Sequence, residues 1–256
     1  MWVFMRVGRF ERTPMLPLAT QCVLLASVFA GALVSSFAGF AFSPVAGVAL
    51  LYFLPHKLVI PLLMFCSIIV QVATLAYLRR SLVWANLRPM LAGGAVGVAL
   101  TILLFAGIGA RAFQVGYGLF LAIYATVMLC RPKKLLAEGD GPVRQTVIGL
   151  AGGIVGVLTA TPGAIPVVDC DLRGVPKDAQ RTTVQPFILA MQVFAISLFA
   201  ARGDVNMEVL STLLVALPAL LAGVIVGLLL FGRVPEARFR QVVLVLLFVT
   251  GLGLLV

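Results

Sequence analysis

The chain has 256 residues, 62% of them hydrophobic and 11% charged, with a mean hydropathy of +1.14. Soluble domains hold about 45–50% apolar and about 25% charged residues, so a single water-soluble globule is excluded and lipid must be the solvent for most of the chain. The formal charge of +10 comes from 19 Lys and Arg against 9 Asp and Glu. The basic residues gather at the ends of apolar runs, as in loops that hold the cytoplasmic side, and no basic stripe with interleaved aromatics tracks a phosphate backbone; nucleic acid is therefore set aside as a partner.

A bilayer core of about 30 Å needs roughly 20 apolar residues per helical crossing. Eight runs are long enough: 16–54, 58–78, 89–110, 113–130, 143–168, 183–201, 209–231 and 239–256. The expected fold is an all-α polytopic membrane protein. The first run follows Arg6, Arg9 and Arg12 and contains Ala30-Gly31-Ala32, the outline of a secretory signal. It has a counterpart in mid-chain, so it is expected to stay as part of the fold. Within it, Gly39, Ser43, Pro44 and Gly47 interrupt an otherwise helical pattern. The next two runs carry a polar stripe, Ser67, Gln71 and Thr74, and then the basic loop of Arg79, Arg80 and Arg88.

A polar linker over 133–142 divides two related parts, 1–132 and 143–256. Leu104-Phe105 and Ala110-Arg111-Ala112-Phe113-Gln114-Val115 return as Leu230-Phe231 and Ala237-Arg238-Phe239-Arg240-Gln241-Val242. Ile69-Val70-Gln71-Val72-Ala73 is echoed by Ala190-Met191-Gln192-Val193-Phe194, and Phe42-Ser43-Pro44 by Ala160-Thr161-Pro162. Each part then holds four elements. The second loop of the first part is basic, whereas in the second part the first loop (Arg173, Lys177, Arg181) and the third are. This reversal predicts inverted repeats with a broken or re-entrant first element in each, and a site near the midplane where the two meet. Eight plain crossings with parallel repeats are the competing arrangement.

The fifth run contains Gly152-Gly153-Ile154-Val155-Gly156, which leads to Thr161, Pro162, Gly163 and Pro166. Helix breakers at a depth where lipid cannot satisfy free backbone groups imply a protein-enclosed cavity. The freed N–H groups at broken helix ends suit an anion; close helix contact is the plainer role for each single glycine. Next comes the densest polar run, Asp169 to Arg181, leading into an apolar helix. On a helix from about Lys177 to Ala200, residues Arg181, Gln185 and Gln192 fall within about 40° of one another. A guanidinium matches a sulfonate, sulfite or carboxylate in plane, so Arg181 is the first candidate for substrate contact. The full expected binding set is Ser43, Pro44, Gly47, Gln71, Thr161, Pro162, Gly163, Arg181, Gln185 and Gln192. Asp169 and Asp171 are candidates for coupling to a proton or sodium ion, beside their plainer use in salt bridges.

Cys22, Cys66, Cys130 and Cys170 form no CxxC pair and read as small apolar residues. The single histidine, His56, gives neither a metal cluster nor haem ligation, and no phosphate loop of the form GxxxxGK[ST] occurs. No cofactor or enzymatic reaction is expected, and transport energy should come from a gradient.

The run Leu172-Arg173-Gly174-Val175-Pro176-Lys177-Asp178-Ala179-Gln180-Arg181, followed by Gln185-Pro186-Phe187, resembles the second-half signature of one branch of the TauE/SafE sulfite-exporter family. Gly152-Gly153-Ile154-Val155-Gly156, Leu217-Pro218-Ala219-Leu220-Leu221-Ala222-Gly223 and Phe239-Arg240-Gln241-Val242-Val243-Leu244 are similar to it as well. Two departures are visible: Gln180-Arg181-Thr182-Thr183 replaces a Gly-Thr-Ser run of other branches, and the first Gly-rich element is reduced to Phe37-Ala38-Gly39-Phe40. The resemblance implies a secondary transporter of small sulfur anions, sulfite or organosulfonates, in a bacterial cytoplasmic (inner) membrane, with export by alternating access as the expected task. Uptake of another small organic anion such as a carboxylate, or a non-transporting scaffold, is the alternative. Assembly as a homo-oligomer is left open.

Overall fold

The computed structural model describes residues 17–39, 41–78, 84–104, 110–130, 141–230 and 236–253. Ten helices occupy them: α1 (Leu18–Ala38), α2 (Phe42–Phe53), α3 (His56–Leu78), α4 (Trp84–Leu104), α5 (Ala110–Cys130), α6 (Pro142–Thr159), α7 (Ala164–Leu172), α8 (Lys177–Ala201), α9 (Met207–Leu230) and α10 (Glu236–Gly253). No strand occurs among the described residues. Seven of the helices (α1, α3, α4, α5, α6, α8 and α9) are long and apolar enough to cross a membrane, and α2 is a shorter apolar helix. The protein is thus an all-α, multi-pass membrane protein. Most of the polar linker, residues 133–140, and the tail bearing Arg6, Arg9 and Arg12 lie outside the described residues.

The two long interrupted runs resolve as helix pairs, and the breaks have local causes. α1 ends at Gly39, whose φ of 91° is left-handed backbone that favours glycine, with its N–H bonded to Ser35 O at 2.6 Å. α6 ends at Ala160, the one non-glycine residue with positive φ (53°) among those described. Pro162 follows and has no N–H with which to continue the helix. In both places the chain turns back. Phe42 and Ala46 of α2 lie against Gly31 of α1, where a Cβ would sit 2.9 Å from Ala46 Cβ. Likewise Pro162, leading into α7, lies on Gly152 and Gly156 of α6. Asp169, near the end of α7, reaches Arg144 in the first turn of α6.

Backbone-to-backbone approach through glycine fixes the neighbours of these pairs. α6 runs alongside α4: a Cβ on Gly93 would lie 2.0 Å from the Thr146 carbonyl oxygen, and one on Gly149 2.0 Å from that of Met90. α1 runs alongside α9, with Gly223 over the Phe29 carbonyl and Gly227 over that of Leu33. Close approach of this kind is how small residues join helices in lipid. It is also the plainer role expected for glycines of the 152–156 cluster. Leu103, Leu104, Leu214, Ile225 and Leu229 point outward, more than half exposed, as lipid-facing side chains do.

The starts of α3, α5 and α9 and the finishes of α4 and α8 share one end of the bundle, where they enclose a cavity of about 490 Å³. This is the His56 end. The starts of α4, α6 and α8 and the finish of α7 share the other, the Arg144 end, around a cavity of about 180 Å³.

Candidate functional site

Polar groups in the bundle interior concentrate where the α1–α2 break meets α8. A Cβ on Gly39 would lie 3.2 Å from Gln185 Nε2 and 3.5 Å from Arg181 Nε. Arg181 is 6% and Gln185 1% exposed, so both side chains are held away from water and lipid alike. Neither amide atom of Gln185 has a hydrogen-bond partner, and the hydroxyls of Ser35 and Ser36, one turn before Gly39, also have none. A buried polar atom without a partner costs about 1–3 kcal/mol. Several gathered in one place are unusual in a folded protein.

The helix pattern explains the grouping. α8 spans Lys177–Ala201, matching the expected helix, and places Arg181, Gln185 and Gln192 on its buried side. Gln192 donates from Nε2 to the Ala160 carbonyl at the second break, 3.2 Å, and its Oε1 is without a partner. On α3, Gln71 donates from Nε2 to the Gly39 carbonyl at the first break, 3.3 Å. Ser67 and Thr74 are buried with it, and Thr74 bonds back to Val70 O.

The remaining expected residues fall elsewhere. Ser43 and Pro44 are buried in the first turn of α2, and the Ser43 carbonyl accepts a bond from Tyr117 Oη on α5 at 2.8 Å. Gly47 admits that same tyrosine: a Cβ there would lie 2.6 Å from its oxygen. Thr161 turns its hydroxyl onto Thr159 O (3.0 Å). Pro162 packs on Gly152 and Gly156, and Gly163 on Ile188 and Val184. These six lie at the two hairpins, whereas Arg181, Gln185, Gln71 and Gln192 are the buried long polar side chains beside the breaks. Ser35 and Ser36 went unnoticed in the sequence; two adjacent hydroxyls just before a glycine in an apolar run were the available signal.

Asp169 sits at the rim of the Arg144 end. Its carboxylate accepts from Arg144 Nε (3.1 Å) and from Arg173 Nε (2.9 Å), joining α6 to the turn after α7. Arg173 and Cys170 line the 180 Å³ cavity with Thr182, Thr183 and Val184, the residues next to Arg181. Asp171 lies half-buried on the same turn of α7. From the His56 end, the larger cavity reaches Val157 and Leu158, one turn before the Ala160 break. Cavities thus approach the interior polar residues from both ends.

Neither a curated protein nor a solved structure matches the chain. The sequence profile of the family described as "Sulfite exporter TauE/SafE" does match, over residues 23–254, which takes in both helix breaks and all the interior polar residues named above. The chain belongs to the TauE/SafE sulfite-exporter family, and is therefore a multi-pass membrane transporter.

Proposed function

We propose that this transporter exports a small sulfur oxyanion or sulfonate across a bacterial inner membrane, and that the anion binds between the α1–α2 break and α8. The observation that carries this reading is Gln185: its amide is buried, lacks partners at both ends, and lies beside Gly39 and the Arg181 guanidinium. Arg181 supplies charge and planar donors, Gln185 Nε2 and the hydroxyls of Ser35 and Ser36 supply neutral ones. An oxyanion with several acceptor oxygens satisfies them together. Gln71 and Gln192 hold the two breaks that bound the site.

Transport would proceed by alternating access between two inverted repeats, α1–α5 and α6–α10. Supporting this arrangement, Gly39 and Ala160 stand 121 residues apart, as do Gln71 and Gln192, and as do the first residues of α3 and α8, His56 and Lys177. The register pairs Gly39 with Ala160, three residues from the pairing of Ser43 with Thr161 expected from the sequence. α3 starts at the His56 end and α8 at the Arg144 end, the opposite sense that inversion requires. The Asp169 link between Arg144 and Arg173 closes the Arg144 end, and its opening would admit the anion to Arg181.

Flux of sulfite into proteoliposomes containing the purified chain tests the reading. Saturable flux that Arg181→Ala abolishes is expected; flux no greater than in protein-free vesicles would refute it.

A further inference from the structure

Connectivity assigns every basic residue of the chain to one end of the bundle. α3, α5 and α9 start at the His56 end, where His56, Phe113 and Glu208 line the cavity, and α4 and α8 finish there with Ile102 and Arg202. α1 runs parallel to α9, because Gly223 lies over Phe29 and Gly227 over Leu33, so α1 also starts at the His56 end. α10 runs antiparallel to α5: Gly251 lies over the Gly118 carbonyl, and Leu244 packs in one cluster with Tyr124 and Met128. By sequence, the segments at the Arg144 end then hold thirteen of the 19 Lys and Arg. Arg79, Arg80 and Arg88 lead into α4, and Arg131, Lys133, Lys134 and Arg144 join α5 to α6. Arg173, Lys177 and Arg181 lead into α8, and Arg233, Arg238 and Arg240 into α10. The His56 end has Lys57, Arg111 and Arg202, with Arg6, Arg9 and Arg12 ahead of α1.

We infer that the Arg144 end faces the cytoplasm and the His56 end the outside, so that the Asp169 link is the cytoplasmic gate and the 490 Å³ cavity is the chamber from which the anion leaves. Short cationic segments stay on the cytoplasmic side because the membrane potential and the anionic lipids of the inner leaflet both oppose carrying them out. Acidic residues divide between the ends in the same sense and weigh little in this rule. The orientation stands on charge and connectivity alone, and the direction of travel rests on the export proposed above. At the cytoplasmic end, Asp169 holds Arg144 and Arg173 together beside the 180 Å³ cavity. At the outer end the larger cavity is walled by Lys57 and Arg202, with Asp204 3.5 Å from Arg202 and Glu208 nearby. His56 shares that wall: its ring stacks on Phe113 at 5.2 Å, and its buried Nδ1 has no hydrogen-bond partner. An anion leaving the helix breaks meets these groups before it reaches water. The structure is therefore the outward-facing half of the cycle, with its cytoplasmic gate shut.

The test is labelling of the full chain by a membrane-impermeant maleimide, with the exposed Cys22 and Cys130 changed to Ser. In spheroplasts, Lys57→Cys should react at once and Arg88→Cys only after permeabilisation, with Asp204→Cys and Gly141→Cys repeating the comparison at second positions. Reaction of the Arg88 and Gly141 variants in sealed spheroplasts, or of all four from one side, would overturn the orientation. The gate is read at Cys170, which is buried and lines the smaller cavity. In inside-out vesicles Asp169→Asn should label at Cys170 at least ten-fold faster than the parent, while Asp169→Glu, which keeps the link, stays near the parent rate and the core Cys66 stays unlabelled. Equal Cys170 rates in all three proteins, or an equal gain at Cys66, would overturn the gate. None of these readings uses sulfite, so their failure is distinct from an absence of sulfite flux, which would remove the proposed function and leave the orientation standing.

Discussion

Gln71 and Gln192 make the same hydrogen bond in the two parts of the chain: each Nε2 donates to a carbonyl 32 residues upstream, Gly39 at 3.3 Å and Ala160 at 3.2 Å. Both carbonyls belong to left-handed residues that end a helix inside the bundle. Lipid cannot solvate such a group, so the amide from the neighbouring helix is what permits the break. Gln71→Leu and Gln192→Leu should therefore each lower unfolding stability by about 1–3 kcal/mol, the cost of stranding a buried acceptor. Thermal unfolding in detergent checks this, and unchanged transition temperatures for both variants would contradict it.

Gln185 should behave in the opposite way. Its amide has no partner in the folded protein, so replacing it removes a cost to stability. Gln185→Leu is expected to unfold at the same temperature as the parent or higher, and to lose at least ten-fold in sulfite flux. A structural role would show as a lowered transition temperature.

Arg181 and Arg88 separate the site from the rim. Arg181 is buried at the α1–α2 break, while Arg88 is exposed near the start of α4. Arg181→Ala should reduce flux at least ten-fold with membrane levels retained, and Arg88→Ala should change it less than two-fold. Equal flux in the two variants would remove Arg181 from the path of the anion.

Much of this was legible before any coordinates. Eight apolar runs became ten helices because two of them, 16–54 and 143–168, were broken where Gly39 and Pro162 demanded it. Arg181, Gln185 and Gln192 shared a helical face because the 3.6-residue period places them there. What periodicity could not convey was contact between distant elements. That Gly39 meets Arg181 and Gln185 depends on how far α1 penetrates before it turns. Ser43, Pro44 and Gly47 are expected to bind because breakers cluster around them; that a tyrosine 74 residues away, Tyr117, donates to the Ser43 carbonyl was not legible. Gly152 and Gly156 show the same limit, since a glycine that admits a ligand and one that admits a proline ring read alike in sequence.

Gly141 and Ala179 belong to the Arg144 end and Asp204 to the His56 end. In a background with the exposed Cys22 and Cys130 changed to Ser, Gly141→Cys and Ala179→Cys should react with a membrane-impermeant maleimide from one side, and Asp204→Cys from the other. Labelling of Gly141→Cys and Ala179→Cys from opposite sides would mean that α6 and α7 together make a plain crossing.

The glycine contact between α4 and α6 has no room for a methyl group. Gly149→Ala would place a Cβ 2.0 Å from the Met90 carbonyl oxygen, backbone that cannot swing aside, whereas Gly116 has nothing within 4 Å. Gly149→Ala should destabilise by about 1–3 kcal/mol or more through overpacking, and Gly116→Ala should be neutral within about 0.5 kcal/mol. Thermal unfolding of the pair settles it, and equal stability would show that α4 and α6 are not in backbone contact.

In the proposed function a small sulfur anion binds beside Gln185 and Arg181 at the α1–α2 break, and direct binding tests this most closely. Purified protein titrated with sulfite should show saturable binding that raises its unfolding temperature, as any ligand of the folded state does, and Arg181→Ala should show neither effect. No stabilisation of the parent by sulfite, or equal stabilisation of Arg181→Ala, would contradict the account.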